Sequence, residues 1–370
     1  MKRDSTPFPY ETFADKDTFY GRTNEVKQLK KLFSTSNNLL LFAKRRMGKS
    51  TLIKKVMRDM EKDAIGIYID IFDISSEKDF AYALINGLLN AQKGDIKAIL
   101  KRIGKVFTKS RISASFDPLT AKTSIKIGTV SSTFEELIEE FFTALFEMSK
   151  SKKIILAIDE FQQISTIKNV KIDALLRKYI QQPYKISYVF LGSKRHILNS
   201  LFQYKAPLFE LASPLQLESI GIDDTFEYVK SYLKINRDVL EYMFELSDGE
   251  TKLTQHICHI LYDEYKMKKE ITKELVDEAI KEILILKNES YKILFNNLTT
   301  NQKKTFKLLT KYGTNIFSGS KLEEQNIEKT ALQSSLKQLF QKEYIDKDTD
   351  TNNYFVPDRT LELWGNKILN

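Results

Sequence analysis

Four short runs that are apolar on both faces constrain this chain most. They are Leu39–Ala43, Ile65–Ile71, Lys153–Ile158 and Ile186–Leu191. A strand buried on one side only alternates apolar with polar residues. Runs that do not alternate belong to a parallel sheet covered by helices on each side. The stretches between them, roughly 50–62, 78–92, 133–149 and 194–204, carry apolar residues at helical spacing. Strand–helix–strand alternation of this kind predicts an α/β fold. One interruption falls at about 111–128. There Ile112, Ala114 and Phe116 alternate, then Ile125 and Ile127, around a turn near Asp117-Pro118. This reads as a β-hairpin inserted on the sheet's edge.

After about residue 215 the strand signal fades. Helical segments are predicted near 223–234, 237–246, 251–268 and 272–286. From 291 the pattern changes again. Thr299-Thr300 can cap a helix running through Leu308-Leu309, because a hydroxyl there accepts from the first free backbone amides. Helices near 319–326 and 328–342 follow. The strings Glu343–Asp346 and Asn353–Val356 then flank a polar tip, Asp348–Asn352. Three helices followed by a strand–turn–strand ribbon is the winged-helix pattern. The expected organisation is an α/β core at 1–215, a helical segment at 216–288 and a winged-helix domain at 289–370. A chain of 370 residues is long enough for two or three domains.

Composition removes several function classes. The single cysteine, Cys258, excludes an intramolecular disulfide and a cysteine-cluster zinc site. The three histidines are His196, His256 and His259, too few and too scattered for a convincing metal centre. No run of about 18 apolar residues exists, so no membrane span is expected. The start, Met-Lys-Arg-Asp-Ser-Thr-Pro, has no apolar stretch behind its charges and does not read as a secretory signal. A cytoplasmic location is expected. The net charge of +9 permits anionic partners without demanding one.

The sharpest local signal is Ala43-Lys44-Arg45-Arg46-Met47-Gly48-Lys49-Ser50, directly after the first strand and opening the helix that begins Thr51-Leu52-Ile53. It matches G-x-x-x-x-G-K-[ST] except that Ala43 replaces the first glycine. A loop that wraps a β-phosphate must turn successive amides inward, and a helix N-terminus adds partial positive charge. Gly48 lets the chain pass close to phosphate. Lys49 would bridge the β- and γ-phosphates, and the Ser50 hydroxyl would ligate Mg²⁺. At Ala43 a methyl is tolerated if φ stays negative. About a hundred residues on, a hydrophobic strand ends in Asp159-Glu160. Asp159 would hold the metal's water shell, and Glu160 would orient the water attacking the γ-phosphate. Gln162 and Gln163 follow, with a role toward that water or toward a partner that sequence does not separate.

Further strings carry a family resemblance. Phe19-Tyr20-Gly21-Arg22-Thr23-Asn24-Glu25 resembles the h-h-G-R-x-x-E box of AAA+ and STAND-type ATPases. Arg45-Arg46-Met47-Gly48-Lys49-Ser50 and Asp159-Glu160-Phe161-Gln162 resemble the R-R-x-G-K-[ST] and D-E-F-Q strings of the archaeal-type ATPase family. Phe190-Leu191-Gly192-Ser193 is similar to that family's next strand, and the C-terminal Val356-Pro357-Asp358 and Trp364 fit as well. The resemblance implies a P-loop core with five parallel strands in order 5-1-4-3-2, a helical lid at 216–288 and the winged helix. It implies that Tyr20, Gly21 and Arg22 lie over the adenine of ATP and that Ser193 senses the γ-phosphate. Two strings depart from the family. Its P-L-Y-G-R after the fifth strand is replaced by Pro207-Leu208-Phe209-Glu210-Leu211, so the arginine is absent. Its G-G-x-P in the lid is replaced by Asp248-Gly249-Glu250-Thr251. Arg195, two residues past Ser193, is a candidate substitute for that arginine.

Residues 93–111 carry seven Lys/Arg against Asp95 alone, on one face of an amphipathic helical pattern suited to a polyanion or to plain solvent. The segment 287–370 carries 13 Lys+Arg and 10 Asp+Glu, and Asp346, Asp348 and Asp350 at the ribbon tip repel phosphate. The expected function is therefore Mg²⁺-dependent ATP binding with slow hydrolysis to ADP, used as a switch that moves lid and winged helix to regulate a protein partner. A DNA-binding ATPase and a non-hydrolysing nucleotide-binding scaffold are the competing readings. A nucleotide-dependent oligomer stays open.

Overall fold

The computed structural model describes residues 6–91, 112–117, 122–127, 132–348 and 351–369, with 112–117, 122–127, 195 and 196 described as backbone only. The basic segment 93–111 lies outside the described residues. The chain forms two compact units. One comprises Arg22–Ala43 and Lys49–Leu217; the other comprises Met1–Gly21, Lys44–Gly48 and Glu218–Asn370.

The first unit is built on a five-stranded sheet. Its strands are β1 (Leu39–Phe42), β2 (Ala64–Asp70), β5 (Lys153–Asp159), β6 (Ile186–Gly192) and β7 (Ser213–Gln216). They lie in the order β2-β5-β6-β1-β7 and every pair is parallel. Numbering these five along the chain gives the expected 5-1-4-3-2 read from the other edge. All of β1 and β6 and all but the first residue of β5 are buried, as runs without alternation require. Around the sheet pack α1 (Thr23–Ser34), α2 (Lys49–Asp59), α3 (Glu77–Asn90), α4 (Phe134–Ser151), α5 (Ile172–Ile180) and α6 (Arg195–Phe202). Ser76 and Thr133 start α3 and α4 with reciprocal capping boxes through Asp79 and Glu136. One core cluster joins Ile67, Phe80, Phe141, Leu156, Phe161 and Phe190.

Two expectations change here. The strands β3 (Ile112–Asp117) and β4 (Lys122–Ile127) do form an antiparallel hairpin, but as a separate two-stranded sheet and not on the edge of the main one. The fifth strand, β7, pairs with β1 and, among the described residues, with no other strand; the segment 207–211 precedes it instead of following it. Its Pro214 has no amide to donate, which an edge strand tolerates. Helices α1 and α5 carry no prior expectation.

The second unit is helical. It contains α7 (Ile222–Val229), α8 (Arg237–Ser247), α9 (Thr251–Glu264), α10 (Lys273–Asn296), α11 (Thr300–Tyr312), α12 (Gly319–Glu324), α13 (Lys329–Gln341) and α14 (Arg359–Trp364). Short pairs β8 (Lys234–Ile235) with β9 (Glu270–Ile271) and β10 (Asp346–Lys347) with β11 (Tyr354–Phe355) complete it. Thr299 caps α11 by accepting from the Gln302 amide, as expected. Helix α10 runs 24 residues without a break, so the expected boundary at 288 falls inside it. A single core continues across that point, from Val229 and Ile257 through Tyr291 to Leu336 and Trp364. Trp364 is fully buried and donates its indole N–H to Asn288 at 3.0 Å. The N-terminal segment contributes Phe8, which packs edge-on against Tyr228, Tyr232 and Tyr262. His256 is buried and stacked on Tyr10 at 3.8 Å.

Candidate functional site

Parallel strands end on one edge of their sheet, and that edge is where open α/β sheets bind ligands. Here it gathers Phe42 of β1, Asp159 of β5 and Gly192 of β6. After Phe42 the chain passes through Ala43, which keeps a negative φ, to a loop with left-handed φ at Arg46 (65°) and Gly48 (86°). A Cβ placed on Gly48 would meet nothing within 4 Å, so this backbone faces open space. Helix α2 begins at Lys49, and its first amides have no intrahelical acceptor. Lys49 is buried, 6% exposed, and its ammonium donates across the loop to the Ala43 carbonyl at 3.4 Å. Thr51 is half-buried in the same turn.

Ser50 and Asp159 are brought together across 109 residues of sequence: the Ser50 hydroxyl donates to Asp159 Oδ2 at 2.6 Å. The Tyr68 hydroxyl donates to the same oxygen. Tyr68 lies on β2, two residues before Asp70, whose Cα pairs in register with that of Asp159. Lys54 of α2 stands 4.2 Å above the Tyr68 ring. Burial raises the Tyr68 pKa and the Asp159 charge raises it further, so the phenol stays a donor. Burial also raises the Asp70 carboxyl, partly offset by the Phe72 amide, and lowers the Lys54 ammonium. A hydroxyl and a carboxylate together are oxygen donors of the kind a hard cation takes, usually alongside waters and phosphate. Among the described residues no group of three or more His, Cys, Asp or Glu could hold a metal. One hydroxyl and one carboxylate fit a hard cation that takes its remaining ligands from elsewhere.

Glu160 follows Asp159 in a left-handed conformation, φ 54°, and starts a 3-10 turn at Phe161–Thr166. Its amide is fixed by Asp159 Oδ1 at 2.9 Å. Its carboxylate Oε2 accepts from the Ser193 hydroxyl at 3.4 Å and from the Gln162 side-chain amide. Gln162 is buried while Gln163 is half-buried, a difference the sequence does not show. Arg195 opens α6, and its side chain lies outside the described residues. Arg22 is buried at the N-terminus of α1 and pairs with Glu25 at 3.0 Å.

The loop residues Lys44–Gly48 belong to the helical unit, where they meet four acids. Lys44 pairs with Asp248 at 3.0 Å and Arg45 with Glu343 at 3.5 Å, both pairs solvent-exposed. Arg46 donates to Asp358 and stands 3.7 Å from Glu250. Asp358 also caps α14 by accepting from the Leu361 amide at 3.2 Å. Glu250 is 5% exposed, and burial pushes its carboxyl up to about 7 although Arg46 opposes the shift. A cavity of about 480 Å³ in this unit is lined by Lys44, Arg45, Met47, Glu250, Phe355 and Arg359, and by none of Lys49, Ser50, Asp159 or Glu160. In the same unit Tyr20 stacks on Tyr228 at 4.1 Å, and Gly21 has a left-handed φ of 59°.

Sequence reasoning does not single out Tyr68, and it meets Glu250 and Asp358 only inside longer strings. Tyr68 and Asp70 sit in an apolar run, where Tyr-x-Asp at the strand's end is the only hint. Glu250 was noted only as a departure in the lid string.

A parallel sheet in this order, a phosphate-type loop between β1 and α2, and a strand-end acid hydrogen-bonded to the loop's serine define a P-loop ATPase core. The family of ATPase domains found predominantly in Archaea matches residues 19–220, more than half of the chain. The chain belongs to that family. No curated protein matches the sequence. Among solved structures, the Walker-type ATPase PABY2304 of Pyrococcus abyssi is similar at TM-score 0.63 and 16% identity, over 97% of this chain and 99% of that one. The Aeropyrum pernix ORC2 protein, solved as ADPNP and ADP complexes, is similar at TM-score 0.55 and 13% identity, over 98% and 97%. The ORC1 protein of the same organism, solved with DNA, gives TM-score 0.51 at 11% identity, over 95% and 93%. At such identities the likeness is one of fold. No helix among the described residues is long and apolar enough to cross a membrane.

Proposed function

We propose that this chain binds Mg²⁺–ATP at the β1–α2 loop and hydrolyses it slowly to ADP, as a switch regulating a protein partner in the cytoplasm. The observation that carries the reading is the 2.6 Å hydrogen bond between Ser50 and Asp159, next to a Gly48 backbone that faces open space. In this account Ala43–Thr51 supply amides to the phosphates, and Lys49 supplies the charge opposite them. Ser50 and Asp159 would hold the magnesium ion, directly and through water; when bound, it neutralises charge on the transferring phosphoryl group. Glu160 orients and polarises the attacking water, and Ser193, on the same carboxylate, reports the γ-phosphate. Tyr20, Gly21 and Arg22 line the base.

The switch itself rests on Arg46. Its partners Glu250 and Asp358 belong to the helices proposed as lid and to the three-helix-plus-ribbon segment proposed as a winged helix. A triphosphate draws a loop arginine by charge-assisted hydrogen bonds, in competition with these acids. Binding would therefore release or reset Glu250 and Asp358. Amide hydrogen exchange with and without ATP tests this: protection should change around 246–252 and 356–362 as well as at 43–51. Exchange that changes only at 43–51 contradicts the switch and leaves a plain ATPase or, without phosphate release, a scaffold.

The DNA-binding reading draws on the winged-helix pattern, the basic 93–111 segment and the DNA-bound Aeropyrum pernix protein of similar fold. In this chain Asp348 stands at the ribbon, accepting from Thr351, where a backbone-gripping wing needs cations. A steep loss of DNA affinity with salt would favour that reading over the switch.

A further inference from the structure

We propose that Gln162 is a positioning residue that holds the Glu160 carboxylate, in a recess that exists because residue 192 is glycine. The inference rests on the reading of Glu160 as the residue that orients the attacking water.

Gln162 is 2% exposed, so its amide has exchanged water for protein partners. The NH₂ end donates to Glu160 Oε2, the oxygen that Ser193 reaches at 3.4 Å. The carbonyl end, Oε1, is buried and has no hydrogen-bond partner. Leaving such an oxygen unpaired costs free energy, so packing alone is a poor reason for glutamine here. Turning the amide over would set its oxygen against the carboxylate. The donor orientation is therefore fixed by charge.

Gly192 makes room for this arrangement. A Cβ on residue 192 would fall inside contact distance of Gln162 Oε1, 3.3 Å from its Cδ and 2.7 Å from Leu198 Cδ1. Any larger residue at 192 would drive the glutamine out. Glu160 is a long side chain on a left-handed backbone, with several rotamers open to it. Two donors converging on Oε2 remove that freedom and leave Oε1 to accept from water. Gln162 does not touch the reacting atoms and acts only through Glu160.

The test uses the full chain with Gln162→Ala and with Gln162→Leu, which fills the space without a donor. Phosphate release gives kcat and KM, and a fluorescent ATP analogue in EDTA gives nucleotide affinity without turnover. For both variants kcat should fall about ten- to a hundredfold, while KM and analogue affinity stay within about twofold. Gly192→Ala should lower kcat similarly, and the double variant Gly192→Ala/Gln162→Ala no further than either alone. Normal kcat in Gln162→Leu, beside a Glu160→Gln variant that no longer releases phosphate, overturns the inference and leaves the ATPase reading intact. Parallel losses of affinity and kcat, or failure of both variants to fold, overturn it too, by making Gln162 a structural residue. Equal release by Glu160→Gln and wild type removes the ATPase reading and this inference with it.

Discussion

Two buried polar clusters in this chain are satisfied in opposite ways. In the sheet unit, Asp159 Oδ2 accepts from Ser50 and Tyr68, and Glu160 Oε2 from Ser193 and Gln162. Every donor is neutral: Ser50 from the first turn of α2, Tyr68 from β2, Gln162 from the 3-10 turn after β5 and Ser193 from just past β6. In the helical unit, Glu250 is buried with Oε1 lacking a hydrogen bond, its nearest cation is Arg46 at 3.7 Å, and its carboxyl is pushed up to about 7. In the first arrangement two neutral donors converge on one oxygen of each carboxylate. The second stores a penalty that a proton or a rearrangement of Arg46 removes.

The largest expected effect falls on the first cluster. Glu160→Gln should reduce phosphate release by about 10²- to 10⁴-fold in single-turnover assays, with nucleotide affinity retained. An equal loss of affinity would mean that the carboxylate holds the metal instead of the water.

Next come the cores on which the two clusters depend. Phe190→Ala and Trp364→Ala remove fully buried rings from the two separate cores and should each cost about 3–5 kcal/mol. Calorimetry should show each lowering a different transition if the units unfold independently. A single shared transition would break the comparison by making the clusters one cooperative body.

The Glu250 penalty has a definite sign. Below about pH 4.5 the carboxyl is protonated in both folded and unfolded chains. From there to about 7 the folded chain binds more protons, so stability falls as pH rises, by about 3 kcal/mol in full. Glu250→Gln should raise the melting temperature at pH 8 and change it little at pH 4.5. His256 works the other way: burial lowers it to about 4, so its contribution is present above 6.5 and lost as pH falls toward 4. A pH scan of Glu250→Gln should therefore keep the acid-side loss and lose the alkaline-side one. A Glu250→Gln chain less stable at pH 8 would show that the Arg46 attraction exceeds the burial penalty.

The smallest effect is Tyr68→Phe. Removing one neutral donor to Asp159 should raise the Mg²⁺ concentration needed for half-maximal phosphate release by a few-fold, about 1 kcal/mol. No change would remove Tyr68 from the site.

How much of this was legible in the sequence follows from how local each feature is. The four long strands, the loop and the Asp159-Glu160 pair are readable because each is a contiguous string under one physical demand. Strand β7 is not, since Ser213–Gln216 contains a proline and only one apolar residue, and it exists through its pairing with β1. Helix α10 hides the junction expected at 288 because its buried positions continue in helical register through Tyr291. Gln162 and Glu250 depend on contacts across 30 residues and across 204, which no local pattern encodes.

The central claim is that the β1–α2 loop holds a triphosphate opposite Lys49. Isothermal titration of the full chain with ATP and Mg²⁺ tests it most directly. One saturable site, weakened about a hundredfold or more by Lys49→Ala, is the result expected from loss of a charge-assisted contact. No heat of binding at millimolar ATP, or equal affinity in Lys49→Ala and wild type, would contradict it.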